Sequence, residues 1–350
     1  MRNLLKVHAQ VALVKGFSRA AVYDLQREKY YFMRLAIADF LQHKLPCERE
    51  LLDEALGEHY EPATEYSQWL IDNELIFAVP EELIWNFPAI ADDVNIPGRL
   101  LSATVSAVQV SAALVDALCA LGVRHLIVDC RGMSLQAAVE AIPRIPVEAP
   151  LSSITIWGDS EQMCAELQAS RAIQARLSVV GALRPQALST STASSPADMM
   201  PAMRCNLTHF LHARRFNAAF HMHIDISAKG ALAEGNGVSR AIGQLDATDP
   251  LKSLLDSETK RGLDGAKKDR THICRECEFR YMCTDPREPL QADGSEWYHA
   301  TECKYNPYIC KWKGEEGYRT LAECGVVSNA EGFSIDHERI AAINAELWVE

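Results

Sequence analysis

The sequence predicts a mixed α/β chain in three parts: an N-terminal winged-helix domain over residues 1–90, a degenerate partial βα barrel over 91–200, and a cysteine-rich metal-binding domain over 201–350. Three observations carry this reading. Strand-like segments turn helical within the first eighty residues, strand and helix patterns alternate from about residue 100, and four cysteines cluster with ligand spacing near the C-terminal end. A chain of 350 residues also exceeds what one core comfortably organises, which favours two or three domains.

In chain order, Val7 to Val14 and Ala20 to Leu25 are expected to pair across a turn containing Gly16, with Tyr30, Tyr31 and Phe32 opening the next element. Leu35 to Leu45, Glu48 to Leu56 and Ala63 to Leu70 space their apolar residues as helices do, and Leu75 to Val79 closes the unit as a strand before Pro80. Strands are then expected at Leu100 to Val108, His125 to Val128, Ile154 to Gly158 and Leu177 to Gly181. Helices at Val110 to Leu121, Leu135 to Ile142 and Ser160 to Ile173 alternate with them, which implies parallel pairing. Ligands in such sheets sit beyond the carboxyl ends of the strands, where this chain places Asp129-Cys130-Arg131-Gly132 and Gly158-Asp159. The small polar residues from Leu188 to Pro196 read as a linker, and Phe220 to Ile226 with Gly230 and Gly235 reads as a hairpin.

A formal net charge of −12 excludes a general nucleic-acid binder, because phosphate contacts need clustered cations. The third helix of the N-terminal unit, within Pro62 to Glu74, has no Lys or Arg, so an extended peptide suits it better than a major groove. The first residues lack the apolar core of a signal peptide and no apolar run spans a bilayer, so a cytoplasmic protein with no membrane partner is expected. The basic run Lys267-Lys268-Asp269-Arg270 reads as a solvated loop.

Cys274, Cys277, Cys283 and Cys303 are the most informative residues. The order C-x2-C-x5-C with a distant fourth sulfur suits either an iron-sulfur cluster or structural zinc, and spacing leaves that choice open. Cys47, Cys119, Cys130 and Cys164 lie among apolar neighbours and read as core. His209 with His212, and His221 with His223, have spacings that could share zinc, but without a third ligand they read as structural. Phosphate-binding loop, serine-hydrolase elbow and zinc-protease motifs are absent from the sequence.

The segment from Ile273 through Asp285, with Glu302-Cys303-Lys304-Tyr305-Asn306-Pro307-Tyr308 downstream, resembles a SPASM domain. With its aromatic and proline-containing tail through Trp312, it is similar to peptide maturases of grasp-with-spasm systems, relatives of the radical S-adenosylmethionine enzymes. Val14-Lys15-Gly16 and Tyr23-Asp24-Leu25-Gln26 are similar to precursor-recognition modules. The resemblance implies one auxiliary 4Fe-4S cluster on Cys274, Cys277, Cys283 and Cys303, with Phe279, Tyr281, Trp297 and Tyr298 available to shield it. A second auxiliary cluster is not implied, since Arg287 stands where a further cysteine belongs and the hairpin from Ala219 to Gly235 has none. The C-x3-C-x2-C triplet of the radical core is missing, so S-adenosylmethionine is not expected and catalysis by the chain itself stays open. The expected partners are a ribosomally made precursor peptide and an ATP-grasp ligase.

Overall fold

A computed structural model describes residues 2–90, 99–146, 148–158, 162, 166, 187–192, 202–235, 241–258, 261–292 and 296–348. The first unit runs β1 (Asn3–Val7), β2 (Val11–Lys15), β3 (Ala20–Asp24), β4 (Lys29–Met33), α1 (Leu35–His43), α2 (Arg49–Gly57), α3 (Ala63–Asp72) and β5 (Ile76–Pro80). Strands β2, β3 and β4 form an antiparallel sheet, and β1 pairs antiparallel with β5. The run Val7 to Val14 is therefore divided between two sheets. The break is a tight turn in which Val11 N–H donates to the His8 carbonyl at 3.0 Å and His8 N–H donates to the Leu75 carbonyl at 3.1 Å. Ile37, Leu41, Leu52, Leu56 and Leu70 from the three helices bury against Val22 and Met33, each large aliphatic side chain contributing about 1.5–3 kcal/mol.

The second unit carries β6 (Ser102–Ser106), α4 (Ala112–Ala120), β7 (His125–Asp129), α5 (Leu135–Ala141), β8 (Ser153–Gly158) and β9 (Ala187–Thr192). Ser111 and Ser134 cap α4 and α5 by accepting N–H bonds from Leu114 and Ala137, both at 3.3 Å. Strand β9 occupies residues expected to be a linker. It pairs parallel with β8, a ladder of backbone groups that a Ser/Thr-rich segment can satisfy without apolar side chains. The strand expected at Leu177 to Gly181 lies outside the described residues, as does most of the helix at Ser160 to Ile173, of which 162 and 166 are described and helical.

The sheet continues beyond residue 200. After β10 (Ala202–Met203) and α6 (Leu207–Arg215) come β11 (His223–Ile226), β12 (Ala231–Ala233), β13 (Gly243–Gln244) and α7 (Pro250–Glu258). The expected hairpin is present as β11 and β12, and β11 also pairs parallel with β6. Among the described residues, seven strands result, in the order β13-β12-β11-β6-β7-β8-β9.

Register sorts this sheet into two unlike faces. Ile224, Ala103, Leu126 and Ile154 lie side by side, as do Ile226, Val105, Val128 and Ile156, and both rows are buried in one core with Leu114, Leu118 and Leu254 from α4 and α7. The alternate rows are polar apart from Ile127: His223, Ser102, His125 and Ser153, then Asp225, Thr104, Ile127 and Thr155. Among the described residues, no helix is long and apolar enough to cross a membrane.

The remaining chain folds with little regular structure around β14 (Cys283–Thr284), which pairs with β10, and ends in α8 (His337–Leu347). It packs on the three-stranded sheet. Val14, Ala21, Tyr23 and Leu25 share a core with Cys205, Phe279, Met282 and Tyr305. Phe17 N–H donates to the Glu276 carbonyl at 2.8 Å, and Arg280 Nη1 donates to the Lys15 carbonyl at 2.7 Å. A Cβ on Gly16 would stand 2.8 Å from Glu278 N and 3.0 Å from the Arg19 carbonyl, both backbone atoms with little room to retreat. Gly16→Ala should destabilise the chain by about 1–3 kcal/mol in urea unfolding, with the junction between the two units opening first under limited proteolysis.

Candidate metal centre

The cysteine loop starts from an uncommon backbone. Ile273, a β-branched residue, is held at φ 67° and ψ −51°, and Cys274 N–H donates across it to the His272 carbonyl at 2.7 Å. This is a strained γ-turn, a conformation that persists where surrounding packing fixes it and that concentrates at ligand sites. A single 3-10 turn over Cys274–Glu276 follows, closed by Cys277 N–H to the Cys274 carbonyl at 3.1 Å. Cys283 N–H then returns to the Phe279 carbonyl at 3.0 Å. Two sulfurs are served by the same local device: Phe279 N–H donates to Cys277 Sγ and Tyr305 N–H to Cys303 Sγ, both at 3.4 Å. Each is a cysteine followed at the second position by an aromatic residue, and those rings meet edge to face at 4.9 Å.

All four sequence-predicted cysteines line one cavity of about 340 Å³. Phe279, Tyr305 and Trp312 form its aromatic wall. The other proposed shielding residues have different work. Tyr281 donates to Asp269 at 2.6 Å and packs on Phe210, and Trp297 and Tyr298 pair with Gln291 and Leu290.

Charge around the cavity was not evident from sequence. Lys268, expected in a solvated loop, is 2% exposed and stands 3.4 Å from Asp285. Asp285 also takes a bidentate contact from Arg287, the shortest at 2.5 Å, and lies 3.6 Å from His299 Nε2. Burial alone would raise the Asp285 carboxyl, but Lys268 and Arg287 outweigh it and hold it well below the usual carboxylate range. Burial likewise pushes the His299 imidazole down to about 3, so it stays neutral. One carboxylate thus faces two buried cations, which leaves a positive wall. Lys268 Nζ faces Asp285 as an ion pair and makes no hydrogen bond among the described residues.

These residues fit a thiolate-bound metal group. Burial raises all four thiols, so as free thiols they stay protonated, and a metal would have to displace those protons. Four thiolates around a cluster make an anionic unit, which the Lys268 and Arg287 charges and the two N–H donors complement. Zinc at about 2.3 Å from four sulfurs would set them about 3.8 Å apart. Among the described residues, no three of the four sulfurs come within 4.8 Å of one another. A cluster spreads its ligands more widely because each sulfur binds a different iron. The ligand atoms that do converge are those of Cys274, Asp285 and His299. Both Asp285 oxygens are already engaged by Arg287, so this trio reads as the edge of the ion-pair group.

A second cavity, of about 320 Å³, lies against the polar face of the seven-stranded sheet. The segment 283–287 divides the two: Cys283, Asp285 and Arg287 line the cysteine cavity, while Thr284 and Pro286 line the other. His209 and His212 of α6 meet His221 and His223 there, and His212 Nε2 lies 2.6 Å from His221 Nδ1. Sequence spacing indicated the two pairs but not their convergence across a turn. Both His223 nitrogens bond hydroxyls, Ser102 at 2.7 Å and Thr104 at 3.2 Å. His209 Nε2 is buried without a partner.

At the carboxyl ends of the strands, Arg131 holds Asp129 with both of its carboxylate oxygens at 2.8 Å from guanidinium nitrogens. Asp225, on β11 two strands away, has its carboxyl raised to about 7 by burial and by the Asp129 charge, with Arg131 opposing.

No protein-family model and no curated protein matches the chain. Among solved structures, it is similar to Streptococcus suis SuiB, crystallised bound to S-adenosylmethionine, at 9% identity and a TM-score of 0.28 over 85% of this chain and 99% of that one.

Because Asp225 titrates near 7 when folded and near its ordinary value, about 4, when unfolded, its contribution is complete below pH 4 and is lost as pH rises through 7. Asp225→Asn should remove that loss: relative to the parent chain it gains about 2 kcal/mol or more in chemical unfolding between pH 4 and pH 8.

Proposed function

We propose that the chain is an accessory protein or maturase for ribosomally made peptides, carrying one 4Fe-4S cluster on Cys274, Cys277, Cys283 and Cys303. The carrying observation is that these four residues, spread over thirty positions of sequence, line one cavity with two N–H to sulfur bonds and a positive wall. When bound, such a cluster supplies a one-electron centre or a Lewis-acidic iron. The protein's own part is to position the sulfurs through the γ-turn at Ile273, exclude water with Phe279, Tyr305 and Trp312, and offset negative charge with Lys268 and Arg287.

A three-stranded sheet followed by three helices supports reading residues 1–90 as a winged helix that recognises the precursor. Strand β4 ends that sheet and can accept an extended peptide as a further strand. Its Tyr30 and Phe32 are about two-fifths exposed and both rings touch Phe279, at 5.7 and 5.6 Å, so a peptide there would lie one aromatic ring from the cysteine cavity. An ATP-grasp ligase is the partner this reading requires. The specific observation favouring a second reading, a zinc-stabilised scaffold, is the small irregular domain built round the cysteines, which suits any structural metal.

Purified without oxygen, the protein should contain about four irons and four sulfides per chain, with a broad visible absorption. Zinc at one per chain without iron would sink the cluster assignment and leave the scaffold. In a separate measurement, Phe32→Asp should weaken binding of the precursor peptide by about tenfold or more while leaving the metal content unchanged, since truncating an aromatic anchor costs on the order of 2 kcal/mol. Equal affinity of both forms would place the peptide elsewhere.

A further inference from the structure

The histidine cavity has a composition that the cysteine site does not explain. Its polar lining comes from hydroxyls on the sheet, imidazoles and one arginine; Asp and Glu are absent among the described residues that line it. Arg204 is exposed at its edge, and Arg261 approaches from beneath, its guanidinium donating to the His223 carbonyl. A cation would find no carboxylate to meet it here. Nor do the imidazole nitrogens form a ligand set: among the described residues, no three of them lie within 4.8 Å.

The same composition suits an anion. His209 is 9% exposed, and its Nε2 is buried with no partner although it belongs to a group lining the cavity. An unpaired buried polar atom costs about 1–3 kcal/mol, which a hydrogen-bonded ligand would recover. His212 and His221 share one hydrogen bond, and the His221 ring is stacked on Phe216 at 3.6 Å, so that pair is fixed in place beside it. Phe220, Ile127 and Trp157 complete an apolar wall.

We propose that this cavity binds the oxyanion, phosphate or carboxylate, of a small molecule, with His209 donating to it, Arg204 attracting it at the entrance and the apolar wall holding its body. The site is separate from the cysteine ligands and does not depend on which metal they hold.

The test uses the full chain, purified without oxygen, titrated calorimetrically with phenyl phosphate and, in a second arm, with benzoate. Saturable binding of either probe at one per chain, with a dissociation constant below about 1 mM, is expected, and the stronger arm identifies the oxyanion class. Arg204→Gln, at an exposed position, and His209→Gln should each weaken that binding by about tenfold, the worth of a hydrogen bond or close charge to an ionised group, with iron and zinc contents unchanged. Nitrogen chemical shifts of His209 should move on adding the probe to the parent protein, a readout that needs no variant. Absence of saturable binding in both arms would overturn the proposal. Binding that neither substitution alters would overturn it too, as would histidine shifts produced by zinc but by neither anion.

Discussion

Glu278 is the residue on which the arrangement of the two units depends. Its side chain is fully buried, yet it carries a carboxylate between Arg19 at 2.7 Å and the Tyr305 hydroxyl at 2.5 Å, and its backbone carbonyl accepts from Tyr23. Tyr23 lies on β3 and Arg19 in the turn before it, while Glu278 adjoins Cys277 and Tyr305 lies two positions from Cys303. Buried ion pairs add little net stability against an apolar replacement, but breaking one costs about 3–5 kcal/mol, so they fix orientation strongly. Orientation is what this pair supplies. It sets the loop at Gly16 against the cysteine knuckle and thereby places the edge strand β4 beside Phe279.

A second constraint is electrostatic. Lys268, Asp285, Arg287 and His299 are buried together, and two cations against one carboxylate leave the group unbalanced. Such an imbalance is unfavourable in a dry interior unless a further anion shares it. Four thiolates supply that anion only when a metal removes their protons. If a metal binds these thiols, its binding would be coupled to folding of the C-terminal region through charge as well as through ligand bonds.

Much of this was legible in the sequence, for identifiable reasons. Helices α1 to α5 and strands β6 to β8 fall close to their apolar patterns because each buries one face in a continuous core. That the four cysteines gather round one cavity was readable because their spacing is local at Cys274 and Cys277. What escaped was set by partners distant in sequence. Nothing local tells Ala187 to Thr192 that a parallel neighbour will satisfy its backbone, and nothing around Lys268 shows that Asp285 and Arg287 will enclose it. The division of Val7 to Val14 follows from β1 finding β5, some seventy residues away. The histidine contact required a helix and a turn to close on the polar face of a sheet whose strands themselves predicted well.

The position of Cys283 shows how these levels join. It sits in a ladder only two residues long, with Met203 as its partner, and a slip of one residue would turn its sulfur into the histidine cavity and bring Thr284 among the thiols. So short a ladder cannot fix its own register. The register is held at both ends by other structure: Arg204 N–H bonds the Met282 carbonyl at 2.7 Å, and Cys283 N–H is committed to the Phe279 carbonyl. Cys205, two residues beyond β10, donates its thiol to the Lys29 carbonyl on β4 at 3.0 Å. The N-terminal sheet therefore reaches the cysteine cavity by two routes, through Glu278 beside Cys277 and through Cys205 just beyond β10. Strand β3 and the turn before it hold Glu278, while β4 holds Cys205, so the three-stranded sheet as a unit, and not a single strand of it, sets both contacts.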